Sequence, residues 1–378
     1  MATGVPEVTP ISPRRRPPDI AILLPDLRPG GAERVCVSLA NAFVEEGLAV
    51  DLVLRQQQGE LLDSVSPGVT IHSLGAPRVR DAFSPFVAYL KAARPRSVLA
   101  AMWPITSLAV AARAASGVPC RVVTSDHGVL SRSGPGRPGL PRLAMTLSMR
   151  ATYGQAAGVV GVSRGVAADV AALAGLPVDR VTTVYNPITP LPTPAAPDSD
   201  IMAAWSAGGP RLITVGTLKT VKDHATLLRA LVRIRQTRDA RLLILGEGSE
   251  RPKLEALVAD LGLTDVVQMP GFRPDPHGYV AHADVFMLSS LNEGFGNVLV
   301  EAMACGTPVV STDCPTGPGE ILDGGRYGRL TPVGDADALA AAVLETLAAP
   351  PDPAVLIQRS DDFSTARAVG AYRRLLGV

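Results

Sequence analysis

The sequence predicts an α/β protein made of two Rossmann-like, doubly wound parallel-sheet domains facing a central cleft. Three observations carry this. Short runs rich in Val, Leu and Ile alternate with amphipathic stretches through both halves of the chain, as in repeated βα units whose strands are buried on both faces. A length of 378 residues is too long for one ordinary core and suits two. Residues 186–209 carry Pro187, Pro190, Pro192, Pro194, Pro197, Gly208 and Gly209, a composition suited to an extended connection.

Each element follows from its local pattern. In the first half, strands are expected at residues 20–24, 49–54, 98–102, 121–125, 158–162 and 181–185. In the second half they are expected at 211–215, 241–245, 266–269, 284–288 and 308–311, again with helices between. A last helical stretch near 364–376 follows a breaker-rich segment at 349–353. The domain bounds are then a disordered tail over 1–18, a first domain over 19–189, a linker over 190–209, a second domain over 210–360, and a C-terminal helix within 361–378 packing back on the first domain. Open α/β sheets bind ligands beyond the carboxyl ends of their strands, so the active site is expected between the two domains.

Composition narrows the function classes. With 47% hydrophobic and 19% charged residues the chain reads as globular. Cys36, Cys120, Cys305 and Cys314 are scattered, without a C-x-x-C pair or zinc-ligand spacing, which suits structural thiols in a reducing compartment. His72, His127, His224, His277 and His282 form no H-E-x-x-H, and D-x-D occurs only at Asp198/Asp200 and Asp335/Asp337, which read as solvated linker and helix-entry residues. No metal site is expected. No G-x-G-x-x-G follows a strand, so a dinucleotide cofactor is not expected either. The first eighteen residues hold Arg14, Arg15, Arg16 and five prolines without a signal-peptide apolar core, and no run reaches the roughly 18 apolar residues of a membrane span. A cytoplasmic protein is expected.

The net charge of +1 conceals an asymmetry: residues 1–189 hold 19 Lys/Arg against 13 Asp/Glu, and the remainder 17 against 22. Between Asp126 and Asp169 no acidic residue occurs, while Arg132, Arg137, Arg142, Arg150 and Arg164 do, among Leu140, Leu143, Met145, Leu147 and Met149. Such a segment can lie against anionic lipid headgroups or bind an acidic substrate, and it reads equally as a helix with a wet basic face.

The most informative stretch is residues 293–301, EGFGNVLVE. Glu293 and Glu301 flank a turn built on Gly294 and Gly296 that opens a helix at Asn297. The first amides of such a helix lack intrahelical acceptors, so its N-terminus suits an anion, and carboxylates suit hydroxyls. A nucleotide sugar has both. The spacing alone reads as well as a solvated helix after a turn. Gly30 and Gly31, after the first strand, could let backbone amides approach a phosphate, or mark an ordinary turn. After Val215, the segment Gly216-Thr217-Leu218-Lys219-Thr220-Val221-Lys222 brings cations near a strand's carboxyl end. A fixed cation lowers the barrier for a departing diphosphate.

Six segments in order carry a resemblance: 26–34 (DLRPGGAER), 161–165 (GVSRG), 185–187 (YNP), 215–223 (VGTLKTVKD), 293–308 (EGFGNVLVEAMACGTP) and 317–322 (GPGEIL). On them the chain resembles glycosyltransferase family 4, retaining enzymes of the GT-B fold, from residue 20 to its end. The resemblance implies an acceptor-side first domain and a second domain that binds the nucleotide sugar. It implies that Gly30 and Gly31 lie over the donor diphosphate and that Lys222 neutralises the leaving group. Glu293 would meet hydroxyls of the donor sugar and Glu301 the ribose, with Phe295, Gly296, Asn297 and Val298 offering amides. His127, at the carboxyl end of a strand beside Asp126, would recognise sugar hydroxyls. The family usually has an arginine where this chain has Thr217, so one cation is missing and Lys219 is a substitute candidate.

The function expected is metal-independent, retaining transfer of a hexose or N-acetylhexosamine from a nucleoside diphosphate, UDP before GDP. The acceptor would be a glycan, glycolipid or polyprenyl-linked saccharide, with peripheral contact to an anionic membrane and no nucleic acid. Alternatives are a nucleotide-sugar epimerase of the same architecture, a transferase acting on a soluble small acceptor, and a non-catalytic sugar-nucleotide binding partner.

Overall fold

The strands form because runs such as IAILL at Ile20–Leu24 have no polar face, so both sides must be covered. In the computed structural model of the chain, residues 16–28, 30–132, 140–188 and 196–378 are described. They divide into two units, residues 1–189 with 365–378, and residues 190–364.

The first unit begins with β1 (Ile20–Leu24), α1 (Gly31–Glu45), β2 (Val50–Leu54) and β3 (Thr70–Ser73). It continues with α2 (Phe83–Ala93), β4 (Ser97–Ala101), α3 (Ile105–Ser116), β5 (Arg121–Asp126) and α4 (Leu140–Thr152). β6 (Gly158–Gly161), α5 (Arg164–Ala174) and β7 (Val181–Thr183) complete the series. The strands pair in parallel in the order β3-β2-β1-β4-β5-β6-β7. β1 is central, with Ala21 level with Asp51 on one side and Val98 on the other.

The second unit opens with α6 (Ser199–Trp205), β8 (Arg211–Val215), α7 (His224–Ile234), β9 (Arg241–Leu245), α8 (Arg251–Asp260) and β10 (Val267–Gly271). α9 (His277–Val280), β11 (Val285–Leu288), α10 (Asn297–Ala304), β12 (Val309–Thr312) and α11 (Pro318–Ile321) follow. β13 (Arg329–Thr331), α12 (Ala336–Ala348) and α13 (Pro353–Ser360) end it. Its parallel sheet runs β10-β9-β8-β11-β12-β13. Leu227, Leu228 and Leu231 of α7 share a core with Leu339 and Val343 of α12. Each unit is thus a Rossmann-like, doubly wound parallel sheet.

The chain ends in α14 (Thr365–Leu376). Val369, Tyr372 and Leu376, at helical spacing, enter the first unit's core with Ile22, Leu24 and Phe43. Arg121 of β5 clasps the far end of that helix through the Leu375 carbonyl at 3.1 and 3.2 Å.

Three sequence readings need correction. The strands β3 and β13 were not expected; β3 (TIHS) is only half-buried along its length and β13 (RLT) is short and partly exposed, so neither shows an apolar run. The linker expected over 190–209 contains α6, whose Trp205 is fully buried and donates its indole N–H to the Leu212 carbonyl at 3.1 Å. Surrounding Pro and Gly hid that anchor. Residues 189–195 and most of the expected N-terminal tail lie outside the described residues.

Candidate active site

In a doubly wound sheet the loops leave the carboxyl edge in opposite directions at one point, and a ligand fits there. In the second unit that point lies between β8 and β11. The loops leaving these strands carry Lys222 and Glu293. Lys222 Nζ donates to Glu293 Oε1 at 2.6 Å across 71 residues of sequence. Further ties hold the loops together: the Leu291 amide donates to the Val221 carbonyl at 2.8 Å, and Ser289 Oγ to the Lys222 carbonyl at 3.0 Å. Ser290 Oγ donates to the same Glu293 Oε1 at 2.6 Å. Both side-chain bonds fall on Oε1, so Oε2 has no protein donor among the described residues. The Lys222 and Glu293 side chains are 20% and 10% exposed, shielded enough for strong attraction yet reachable by a ligand.

Helix α10 starts beside this pair. Gly296, with φ +101°, turns the chain so that Asn297 and Val298 contribute the opening amides. Glu301 lies one turn on, half-buried, on the face of Asn297. Phe295 is 2% exposed and meets Phe363 edge-on at 5.4 Å, so only its main chain is available to a ligand. The turn is clamped from behind, where Thr316 Oγ1 donates to the Glu293 carbonyl. At Gly317, φ is +92° and a Cβ would stand 1.8 Å from the Phe295 carbonyl oxygen, so only glycine fits. Gly216 continues β8 and donates its amide to the Leu245 carbonyl at 2.9 Å. Thr217 and Lys219 are exposed, and the ion pair with Glu293 is made by Lys222.

In the first unit the corresponding switch point lies between β1 and β4. The loop after β1 is pinned by Asp26, 2% exposed, which accepts from Arg28 Nε at 3.0 Å and its terminal nitrogen at 2.9 Å, with Arg55 at 3.5 Å. Burial alone would raise this carboxyl; the Arg28 hydrogen bonds and charge hold it below the ordinary value. Gly30 is extended at φ −149° and Gly31 begins α1, so this pair supplies helix-opening amides rather than a sharp bend. The glycine this loop requires is Gly59, at φ +116°, where a Cβ would come within 2.1 Å of the Leu27 carbonyl carbon.

Beyond β5, Asp126 is fully buried. It accepts from the Trp103 amide at 3.1 Å and from the Tyr153 hydroxyl at 2.7 Å, and Tyr153 lies 2.7 Å from Thr106 Oγ1. Burial lifts its carboxyl to about 6 despite those donors. His127, half-buried, has Nε2 at 3.2 Å from Ser125 Oγ, and burial lowers its pKa to about 4. Asn186 of the YNP segment lies close enough to oppose that shift without reaching hydrogen-bond geometry at Nδ1. Asp126 thus supports the turn, and His127 is its neutral face.

These shifts give the fold a pH signature. His127 and His224 both fall from 6.5 to about 4, His224 by burial and then the Lys222 charge, so their contribution is complete above pH 6.5 and is lost as pH falls toward 4. Asp126 rises from 3.8 to about 6, so its contribution is complete below 3.8 and is lost as pH rises through 6. Asp126→Asn removes the opposing slope. Melting temperatures from pH 4 to 7 are expected to fall more steeply on acidification in the variant than in the native chain; parallel curves would show that Asp126 titrates normally.

The cysteines play no part in this chemistry. Cys36, Cys120 and Cys314 are buried and Cys305 half-buried, and burial pushes Cys305 and Cys314 up to about 12. Among the described residues no cluster of three His, Cys, Asp or Glu could hold a metal ion. Asp335 caps α12 by accepting from the Ala338 amide at 2.8 Å. The basic segment forms α4, with Met145 and Met149 buried while Leu143 and Leu147 are 55% and 57% exposed; Arg142 and Arg150 are exposed too. Arg137 lies outside the described residues. No single helix among them is long and apolar enough to cross a membrane.

Sequence reasoning missed Ser290, Thr316, Gly59 and Tyr153. The only local signal was the serine three residues before Glu293, since the others act across chain separations that no spacing rule covers.

The description "Glycosyltransferase Family 4" matches residues 29–190, and "Glycosyl transferases group 1" matches residues 209–349. The lipopolysaccharide core biosynthesis glycosyltransferase LpsD of Rhizobium meliloti is 28% identical over 83% of this chain and 84% of its own length. An N-acetylgalactosamine-N,N'-diacetylbacillosaminyl-diphospho-undecaprenol 4-alpha-N-acetylgalactosaminyltransferase of Campylobacter jejuni is 39% identical over 32% of this chain. The match spans 33% of that relative's length. The crystal structure of Anabaena HepE in complex with UDP superimposes with a TM-score of 0.76 over 95% of this chain and 99% of its own, at 19% identity, a likeness of fold.

Proposed function

The chain belongs to glycosyltransferase family 4, and from that premise we propose that it transfers a hexose or N-acetylhexosamine, with retention of anomeric configuration, from a nucleoside diphosphate to a glycan or lipid-linked acceptor. The observation that carries this is the Lys222–Glu293 pair at the N-terminus of α10. A cation, helix-opening amides and a carboxylate with an open oxygen suit a sugar diphosphate. Lys222, held by Glu293 without ligand, would turn to the diphosphate as charge builds on the leaving oxygen, which assigns that charge to the protein rather than to a metal ion. Glu293 Oε2 would accept from a donor-sugar hydroxyl and Glu301 from the ribose. Gly30, Gly31, Gly216 and the amides of 295–298 would line the phosphates. His127 would donate to a sugar hydroxyl. Attack on the same face, with the leaving oxygen taking the acceptor proton, needs no covalent intermediate on Glu293.

UDP is the first choice of nucleotide, supported by the UDP in the HepE structure, with GDP second. The lipid-linked acceptor is supported by the diphospho-undecaprenol in the Campylobacter relative's name. The test is a panel of UDP-, GDP-, ADP- and dTDP-sugars read by thermal shift, then nucleotide release with and without membrane extract. One donor should stabilise the protein and release nucleotide only with extract. A rearranged nucleotide sugar without acceptor would instead identify an epimerase, and no response to any donor would mean a lost site, with Thr217 in place of the usual arginine as its mark.

A cytoplasmic protein at the membrane surface fits this reading. Leu143 and Leu147, four residues apart on the exposed face of α4 between Arg142 and Arg150, form an apolar strip with basic flanks. Co-sedimentation with phosphatidylglycerol vesicles at low salt is expected, with loss in Leu143→Asp/Leu147→Asp. Equal binding to neutral phosphatidylcholine, or none to either, would remove the membrane from this account.

A further inference from the structure

Helix α11 is a single turn of four residues, too short to hold its shape by its own hydrogen bonds. Yet it backs the donor turn at residues 293–296. Thr316, just before it, donates its hydroxyl to the Glu293 carbonyl, and Gly317 packs on the Phe295 carbonyl where no side chain fits. Ile321, fully buried, brings Cδ1 within 3.6 Å of where a side chain on Gly296 would begin. The other end of the helix is held by Arg359 of α13. Its Nε donates to the Ile321 carbonyl at 3.0 Å and one terminal nitrogen to the Glu320 carbonyl at 2.8 Å, while the other terminal nitrogen donates to Asp362 at 2.9 Å. Carbonyls at a helix C-terminus lack intrahelical donors, and a guanidinium fork can serve two at once. The guanidinium also lies over two rings, 5.1 Å from the centroid of Tyr327 and 4.9 Å from that of Phe363, and the side chain is only 17% exposed. Phe363 in turn meets Phe295 edge-on.

We infer that Arg359 is a positioning residue for the sugar-nucleotide site: by holding the C-terminal carbonyls of α11 it keeps Thr316, Gly317 and Ile321 against residues 293–296, so that Glu293 and the opening amides of α10 keep one geometry. The inference rests on the proposed donor role of that turn. Arg359 acts through α11 and not by contact with the donor. A lysine here keeps the charge but lacks the planar fork that spans both carbonyls, and a methionine keeps contact with the rings but has no donor. A misplacement of about 1 Å beside a reacting centre can cost about 10²-fold in rate. A loosened α11 should therefore show first in turnover.

Hydrogen exchange of the full chain, read by mass spectrometry at a temperature where native and variant proteins are fully folded, tests this brace without any donor. Arg359→Met is expected to exchange faster at residues 293–304 and 317–322, with residues 224–245 of the same unit unchanged. Arg359→Lys guards against a variant that fails to fold, and is expected to show the same pattern to a lesser degree. Native exchange at 293–304 in the folded variants overturns the inference, and so does an equal rise at 224–245, the mark of a residue that only stabilises the unit. With the donor found in the panel, Arg359→Met should lose kcat roughly tenfold while donor KM changes less, because Lys222 and the Leu291 amide still hold the loops together. Combined with Thr316→Val it should lose no more than the larger single loss, since both residues belong to one linkage. Losses that multiply, or a loss confined to KM, would also overturn it. If no donor is processed at all, the functional reading fails while hydrogen exchange still decides whether Arg359 holds the turn.

Discussion

Lys222→Ala is expected to lower kcat by about 10²–10³-fold, the range found when one preorganised donor to a developing negative charge is removed. Lys222 is the ammonium held beside the opening turn of α10, and Lys219 on the same loop is exposed and outside the pair. With Thr217 where the family usually carries arginine, this chain has no guanidinium at that position to share the load with the Lys222 ammonium. The alanine also strands Glu293 without its cation, so some stability is lost, and the melting temperature must be measured beside the rate. Lys222→Arg, which keeps the charge, should recover part of kcat. A Lys222→Ala enzyme that turned over normally at saturating donor would place the leaving-group cation elsewhere.

Glu293→Gln is expected to cost about 3 kcal/mol in kcat, near 10²-fold, with a smaller change in donor affinity. The amide oxygen can still accept from Lys222 and Ser290, which reach the same carboxylate oxygen at 2.6 Å each, so the loops should stay in place. What disappears is the negative charge proposed to meet the sugar, and the second acceptor oxygen. In the unliganded protein Glu293 restrains Lys222, whereas in the transition state it would steady positive charge at the anomeric carbon while the lysine serves the diphosphate. The two substitutions therefore act on one unit, and the double variant should lose less than the product of the single losses. Full turnover with unchanged donor affinity in Glu293→Gln would falsify the assignment of this carboxylate to the sugar.

The central strands were legible because each one is a short run of residues with no polar face. Ile20–Leu24, Arg211–Val215 and Arg241–Leu245 were located to the residue. β3 and β13 were not, because neither carries an apolar run and three or four partly exposed residues resemble a loop. α6 was lost in proline-rich surroundings for a related reason: its signal is one tryptophan, whose burial depends on a core 7 residues and more away.

Local geometry held within one short segment could be read from order alone. The turn and helix of residues 293–301, the cationic loop of 215–223 and the histidine at the end of β5 are each specified by neighbours in sequence, since glycine, helix-opening amides and strand ends act over a few residues. Tertiary structure alone decided which of these groups meet. Folding the loops of β8 and β11 together pairs Lys222 with Glu293 over 71 residues, gives Glu293 to Ser290, and lets Thr316 and Gly317 clamp the turn from behind. It also carries Tyr372 back to Ser125 across 247 residues. Hydrogen bonds and ion pairs act over about 3 Å, and no distance along the chain predicts that one; the sheet order, settled by burying every apolar strand at once, does.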